Sequence, residues 1–354
     1  MKTRLIRVDP THPEDTAVAE AAALVRQGEL VAFPTETVYG LGANALDAAA
    51  VRRIFEAKGR PANDPLIVHL AGVEWLPRVV ASVPPEVNAL ATRFWPGPLT
   101  LILPRSVAVP PEVTAGLPTV AVRVPAHPVA LALLRASDLP IAAPSANRFG
   151  GVSPTTAEHV WQDLAGRIAC ILDAGPTPIG VESTVLDLST RPPRILRPGG
   201  TPREALEAVL GPVTVWEGTS GGGAQPSPGL LAKHYAPRAR LILVLGGEAE
   251  ALTARVVDIA RTLSAQGERV GVLLTDEDAR RVEALLPGVS LLALGSQTDL
   301  TEIARNLYAA LRQLDAQGIT AIVTRDFGSY GLGLAIRDRL RRAASEVVTL
   351  SPEP

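Results

Sequence analysis

The sequence predicts two α/β domains: a mixed, twisted sheet with helices in the N-terminal part, and a smaller, doubly wound parallel sheet at the C-terminus. Three observations predict this. Strand-like and helix-like segments are interleaved irregularly over residues 1–210, which suits a mixed sheet rather than a simple βαβ series. Residues 218–226 (Gly-Thr-Ser-Gly-Gly-Gly-Ala-Gln-Pro) have the composition of a flexible linker. From residue 241 onward, apolar strands alternate with helices, the pattern of a parallel sheet covered on both faces. The expected divisions are 1–210, a linker or lid over 211–240, and 241–354.

Residues 16–27 read as a helix stopped by Gly28, followed by the apolar run Leu30–Phe33. Pro34-Thr-Glu-Thr-Val-Tyr-Gly-Leu-Gly42 then reads as a polar, glycine-bearing loop between that strand and a helix, capped by Asp47, which runs to Lys58 and stops at Gly59. Further strands are expected at 66–70, 99–103, 120–124, 141–143, 168–172, 184–188 and 194–196, with helices at 84–94, 128–136, 156–164 and 202–210. In the Rossmann-like second domain, strands at 241–245, 270–274, 289–293 and 319–324 alternate with helices at 248–265, 277–286 and 300–316. Its first strand ends Leu245-Gly-Gly-Glu248, without the spaced glycines of a dinucleotide loop. The glycine-rich run 328–333 follows its fourth strand, and for this domain interaction or capping is the preferred reading.

Composition narrows the function classes. With 47% hydrophobic and 20% charged residues the chain suits a globular protein with a sizeable core. No apolar run approaches a membrane span, and the N-terminus lacks the apolar stretch of a secretory signal. The single cysteine, Cys170, excludes an internal disulfide and fits a buried strand thiol better than a nucleophile. A cytoplasmic location is expected. The net charge of -2 demands no nucleic acid. Of 34 basic residues only Lys2, Lys58 and Lys233 are lysines, which flags Lys58 and Lys233 as positions that need a compact ammonium.

The chemistry-bearing groups cluster in the first domain. The opening nonapeptide brings two hydroxyls and a carboxylate to a strand end, although taken alone an ordinary βα turn is an equal reading. Lys58-Gly-Arg-Pro61 places two cations at a helix terminus, where they are expected at the surface; solvated helix-end cations are the bland reading. Pro144-Ser-Ala-Asn147 offers a hydroxyl and an amide after a short strand. Arg123 lies within an apolar strand, where an unpaired guanidinium is costly and a bound carboxylate or phosphate would satisfy it. Residues 180–185 and 195–200 add polar groups at further strand ends. His12, His69, His127, His159 and His234 show no metal-ligand spacing, and no nucleophile–base pair is apparent. Cations, hydroxyls and an amide without a nucleophile suit an anionic ligand such as a nucleotide, with catalysis by positioning and electrostatics.

Taken in order, Pro34–Gly42, Lys58-Gly-Arg-Pro61, Pro65-Leu-Ile-Val-His69, Phe94-Trp-Pro-Gly-Pro-Leu-Thr100, Ser145-Ala-Asn147 and Glu182-Ser-Thr-Val185 resemble the YrdC family. Ser227-Pro-Gly-Leu-Leu-Ala-Lys-His-Tyr-Ala-Pro237 resembles the linker signature of its longer, two-domain members, the threonylcarbamoyl-AMP synthases. The motifs cover about residues 5–237. The resemblance implies a YrdC-like catalytic domain that joins L-threonine, bicarbonate (or CO2) and ATP into L-threonylcarbamoyl-AMP, releasing pyrophosphate. It further implies Mg²⁺ carried with ATP and no dedicated protein metal cage. A downstream transferase passes the threonylcarbamoyl group to the adenosine beside the anticodon of tRNA.

Carried over by position, the resemblance assigns Lys58 and Arg60 to catalysis and the triphosphate, with Ser145 and Asn147. Asp64, Thr119, Ser153 and Arg197 fall at nucleotide-contacting positions. Thr35 or Thr37, His69, Arg123, Ser183 and the backbone at Ala143 line the threonine end, with Arg123 clamping the carboxylate. Tyr235 in the linker folds back to the nucleotide. Two positions depart from the family pattern. Asn63-Asp64 reverses the usual Asp-Asn, so Asp64 meets a metal or ribose, or Asn63 substitutes for the amide. Leu230-Leu-Ala-Lys233 replaces the usual Met-Lys-Tyr-Arg. Two other readings stand beside the synthase: a protein binding double-stranded RNA, at least weakly, on a basic concave surface, and a carbamoyl-transfer module of the hydrogenase-maturation kind. The second lacks its accessory acylphosphatase and zinc-finger regions here.

Overall fold

The computed structural model describes residues 2–216, 218, 225, 227–230 and 234–350. Lys233, one of the flagged lysines, lies outside the described residues. The chain divides into two compact units: the first holds residues 1–149, 153–178 and 182–232, the second 150–152, 179–181 and 233–354.

The first unit runs β1 (Arg4–Arg7), α1 (Asp15–Arg26), β2 (Val31–Phe33), β3 (Gly40–Asn44), α2 (Ala48–Lys58), β4 (Ile67–His69), α3 (Glu86–Phe94), β5 (Leu99–Pro104), α4 (Pro111–Thr114), β6 (Thr119–Arg123), α5 (Pro128–Ser137), β7 (Ile141–Ala142), α6 (Ala157–Leu164), β8 (Cys170–Asp173), β9 (Thr184–Asp187), β10 (Arg194–Arg197), α7 (Arg203–Leu210) and β11 (Thr214–Val215). Its sheet has the order β1-β8-β2-β3-β7-β4-β6-β5-β9-β10-β11 and mixes parallel and antiparallel pairs, the mixed architecture the sequence predicts. Cys170 is fully buried in β8, and burial pushes its thiol up to about 11, so it is inert packing.

One sequence expectation needs correction. The stretch after Phe33 is not a single loop leading into a helix: Gly40–Asn44 forms β3, antiparallel to β2, and only 34–39 is connection. Gly40 and Gly42 sit tightly packed in this sheet. A Cβ on Gly42 would lie 2.8 Å from both the Phe33 ring and Ile141. The α2 signals hold. Asp47 accepts from the N–H groups of Ala49 and Ala50, and Gly59 ends the helix at φ 66°.

Side-chain alternation gives the central strands two different faces. Val68, Val120, Val122, Leu99, Leu101, Leu186 and Ile195 point into the main core. On the opposite face Ile67, Ile102, Ala121, Val185 and Leu196 form a small separate cluster, closed by Leu230 with Trp216 packed against it. Part of the expected linker therefore belongs to the first unit and roofs this second face.

In the second unit β12 (Arg240–Leu245), α8 (Ala249–Ala265), β13 (Val270–Leu274), α9 (Asp276–Val282), β14 (Ser290–Ala293), α10 (Leu300–Ala316), β15 (Ala321–Arg325), α11 (Gly333–Ala343) and β16 (Glu346–Thr349) form a parallel sheet of order β14-β13-β15-β12-β16. Residues of α8 pack on the Ile242–Val244 face together with Val282 of α9. Leu314 of α10 crowds Gly271 on the opposite face, where α11 meets α10. The doubly wound expectation is borne out. The sequence reading missed α4, α11, which begins at the last glycine of the glycine-rich run, and the edge strands β1, β11 and β16.

Candidate active site

The second face of the first sheet carries several of the expected site residues. On β6, Thr119, Ala121 and Arg123 share it by alternation, with Thr119 and Arg123 about 13 Å apart along the strand. His69 pairs in register with Arg123, and Ile141 of β7 lies on the other side of His69. The 143–147 loop is tied to β4, where Ala143 N–H donates to the Ile67 carbonyl, and zipped to the 39–41 segment, with Leu41 N–H donating to Pro144 and Ala146 N–H to Tyr39.

At one end lies a cationic group. α2 delivers Lys58, whose Nζ donates to the carbonyls of Ser145 (2.5 Å) and Asn147 (2.6 Å). Ser145 Oγ donates to Asn147 Oδ1 at 2.6 Å. Arg60 pairs with Asp64 (Nη2–Oδ2 3.0 Å) and donates to the carbonyls of Asp64 and Pro65. Lys58 is 4% exposed and Arg60 7%, which corrects the expectation that they are surface groups. Burial, with the Arg60 charge second, holds the Lys58 ammonium well below its ordinary value. Burial raises the Asp64 carboxyl, opposed by Arg60, Lys58 and Arg197.

Arg197 donates to the Ser183 carbonyl at 3.0 Å, to Ser183 Oγ at 3.2 Å and to the Pro228 carbonyl at 3.3 Å. Gln225 N–H donates to the Asn63 carbonyl at 3.0 Å. The roofing segment is thus tied to the residues beside Asp64 and to Arg197.

The other end is a hydroxyl-rich group around Arg123. Its Nη2 lies 2.6 Å from Glu36 Oε1, Nη1 donates to Thr37 Oγ1 at 3.0 Å, and Nε donates to the Gly97 carbonyl at 3.1 Å. Thr35 Oγ1 and Thr37 Oγ1 are 2.8 Å apart. Ser183 Oγ is 2.7 Å from Thr100 Oγ1. Burial, with Arg123 second, lowers His69 to about 3, so its ring is neutral. Burial also lowers His127, against the opposing charge of Glu36.

Comparison with known proteins gives this geometry a lineage. Residues 23–199 match the Sua5–YciO–YrdC family model, described as telomere recombination, and residues 201–345 match the threonylcarbamoyl-AMP synthase C-terminal domain. The threonylcarbamoyl-AMP synthase of Bacillus subtilis is 49% identical over 349 residues, covering 97% of this chain and 98% of the relative. That of Pyrococcus abyssi is 48% identical over 334 residues, covering 94% and 95%. The chain belongs to the threonylcarbamoyl-AMP synthase family. The crystal structure of Pyrococcus abyssi Sua5 complexed with L-threonine superposes with a TM-score of 0.91 at 45% identity, covering 99% of this chain and all of that one.

These matches bear out the family read from the motifs, the two-domain α/β architecture, and the enzyme reading over the RNA-binding one. Among the residues assigned by threonylcarbamoyl-AMP synthase resemblance, the fold brings Lys58, Arg60, Asp64, Ser145 and Asn147 together at one end. It gathers Thr37, Arg123 and Thr35 at the other, with His69 beside Arg123 in register. Ser153 is fully buried, its Oγ donating to Glu182 Oε1 at 2.5 Å. Tyr235 belongs to the second unit, where it stacks on Tyr308 at 6.0 Å and lies beneath the Arg339 guanidinium. The sequence reading assigned no role to Glu36, Thr100 or Glu182. All three sit inside its quoted motifs, so the signal was present, but their partners are distant in sequence.

Among the described residues no group of three or more His, Cys, Asp or Glu side chains could hold a metal ion. Among them, too, no helix is long and apolar enough to cross a membrane.

Proposed function

We propose that the second face of the first sheet synthesises L-threonylcarbamoyl-AMP from L-threonine, bicarbonate (or CO2) and ATP, releasing pyrophosphate, as the first step of threonylcarbamoyladenosine formation in tRNA. The observation that carries this reading is the separation of two recognition ends on one face. A cation group at Lys58, Arg60 and Arg197 suits phosphates, and a hydroxyl-lined guanidinium at Arg123 suits an amino-acid carboxylate.

In this reading the threonine amine loses a proton and adds CO2 to give a carbamate. A carbamate oxygen attacks the α-phosphorus, the bond to the bridging oxygen breaks, and pyrophosphate leaves. No protein nucleophile is required; Lys58, Arg60 and Arg197 hold the phosphates and Arg123 fixes the threonine. Ser145, Asn147, Thr119, Ser153 and Tyr235 contribute to the nucleotide side, and Thr35, Thr37, His69, Ser183 and the Ala143 backbone to the threonine side. Mg²⁺ bound to the phosphates would supply charge neutralisation, and Asp64, a carboxylate set among these cations, fits one contact to such an ion. The roofing segment that holds Leu230 excludes water from a hydrolysable adenylate. The division into a catalytic domain at 1–210, a lid at 211–240 and a partner domain at 241–354 belongs to the same proposal, as do a cytoplasmic location and a transferase that consumes the product.

The deciding measurement is pyrophosphate release from ATP with threonine and bicarbonate each omitted in turn. Release is expected only with both present. Equal release without threonine would overturn the assignment, and salt-sensitive duplex RNA binding in its place would favour the RNA reading.

A further inference from the structure

The second unit contains a cavity of about 440 Å³ that the proposed synthase chemistry does not use. It lies at the carboxyl ends of β12, β13 and β15, with Gly247 following β12, Thr275 following β13, and Arg325 to Gly328 closing β15. β12 and β15 are neighbours in the sheet. The chain leaves β12 into α8 on one face and leaves β15 into α11 on the other. Neighbouring strands whose connections depart to opposite faces open a crevice, and in doubly wound sheets that crevice is where ligands bind.

The lining has a polar floor and an apolar wall. Arg325 is 4% exposed and is locked in place: Nε and Nη2 donate to Asp278 Oδ2 at 2.8 and 2.5 Å, and Nη1 to the Asp326 carbonyl at 2.6 Å. Arg337 grips the Asp326 carboxylate through Nε at 3.0 Å and through Nη2. Its Nη1 has no protein partner among the described residues, and its side chain is partly exposed. Buried ion pairs are weak sources of stability, since desolvation offsets their attraction. The buried Arg325–Asp278 pair, with the partly exposed Arg337–Asp326 pair beside it at one crevice, is better explained by what it presents. Leu252, Ile303 and the Phe327 ring form the wall. The first turn of α8 opens beside it with no side-chain cap from Glu248.

We propose that this crevice is a second ligand site, built for a nucleoside monophosphate. The apolar wall takes the base, the Asp326 carboxylate accepts from the ribose hydroxyls, and Arg337 Nη1 with the α8 amides takes the phosphate. The volume lies within the range of small-molecule sites. Gly328, the first residue of the glycine-rich run 328–333, lines the rim of the site. All of these groups lie in the second unit, so the proposal stands or falls independently of the synthase assignment.

Hydrogen exchange on the full chain, read peptide by peptide with millimolar AMP, tests it. Exchange is expected to slow in 246–252 and 326–333, and the AMP concentration needed is expected to rise at least about tenfold in Arg337→Met. Because Arg337→Met leaves Asp326 without its partner, Ala249→Trp, which fills the crevice from an exposed position, is the second variant. It is expected to abolish the slowing while leaving threonine-dependent pyrophosphate release unchanged. No slowing with AMP, or undiminished slowing in Ala249→Trp, would overturn the site. Full slowing with inorganic phosphate alone, or with adenosine alone, would overturn the nucleoside monophosphate class.

Discussion

Arg123 and Glu36 form a buried ion pair, Nη2 to Oε1 at 2.6 Å, joining β6 to the loop between β2 and β3. The guanidinium that the sequence marks as needing a carboxylate or phosphate already has a carboxylate from within the chain. In the proposed function, a threonine carboxylate arriving at Arg123 would share it with Glu36. Glu36→Gln removes the competing charge and keeps the shape. The thermal shift produced by L-threonine is expected to be larger in Glu36→Gln than in the parent, and an equal or smaller shift would refute the sharing. Arg123→Met strands Glu36 and is expected to cost about 3–5 kcal/mol in urea unfolding.

Burial changes what the cationic end predicts under mutation. Arg60→Ala would leave Asp64, which is fully buried, without its ion-pair partner. The expected cost is about 3–5 kcal/mol, on top of lost turnover. The double variant Arg60→Met, Asp64→Asn removes both charges, so its unfolding midpoint is expected to lie closer to the parent. A midpoint for Arg60→Ala equal to the parent would show that the pair contributes nothing.

Local signals were legible where a residue acts on its own neighbourhood. The Asp47 cap, the Gly59 stop and the apolar runs of the central strands needed only short-range rules. β3 was not legible, because Gly-Leu-Gly-Ala-Asn has little strand character alone. Its glycines are explained only by Phe33 and Ile141, which the fold brings against them. The same limit hid the role of Glu36. A carboxylate in a polar loop looks available to a ligand until β6 delivers Arg123 to it. Lys58 was misread for a related reason. A helix-end lysine is ordinarily solvated, and here the 145–147 loop covers it.

The covered Lys58 should announce the nucleotide. Burial lowers its ammonium well below the ordinary value, so the charged form is disfavoured before phosphates arrive. Phosphate favours the charged form and raises the value again, so binding takes up a proton in the window between the two. Calorimetry of ATP binding in buffers of different ionisation enthalpy is expected to show net proton uptake that is lost in Lys58→Met. Uptake of the same size in the variant would assign the proton elsewhere.

His69 gives the fold a pH dependence whose sign is fixed. Its folded value is about 3 against an ordinary 6.5, because burial, with Arg123 second, excludes the charged ring. Below pH 6.5 the unfolded chain binds a proton that the folded chain refuses, so stability falls as pH drops from 6.5 toward 3 and is unaffected above. Between about pH 7 and about pH 5 the loss from this one group is about 2 kcal/mol. His127 is also lowered and adds to the slope in both proteins, so the comparison must be with a variant that keeps it. His69→Gln is expected to flatten urea unfolding free energy against pH by that amount. Parallel curves for the two proteins would mean that the His69 ring is protonated or solvated in the fold.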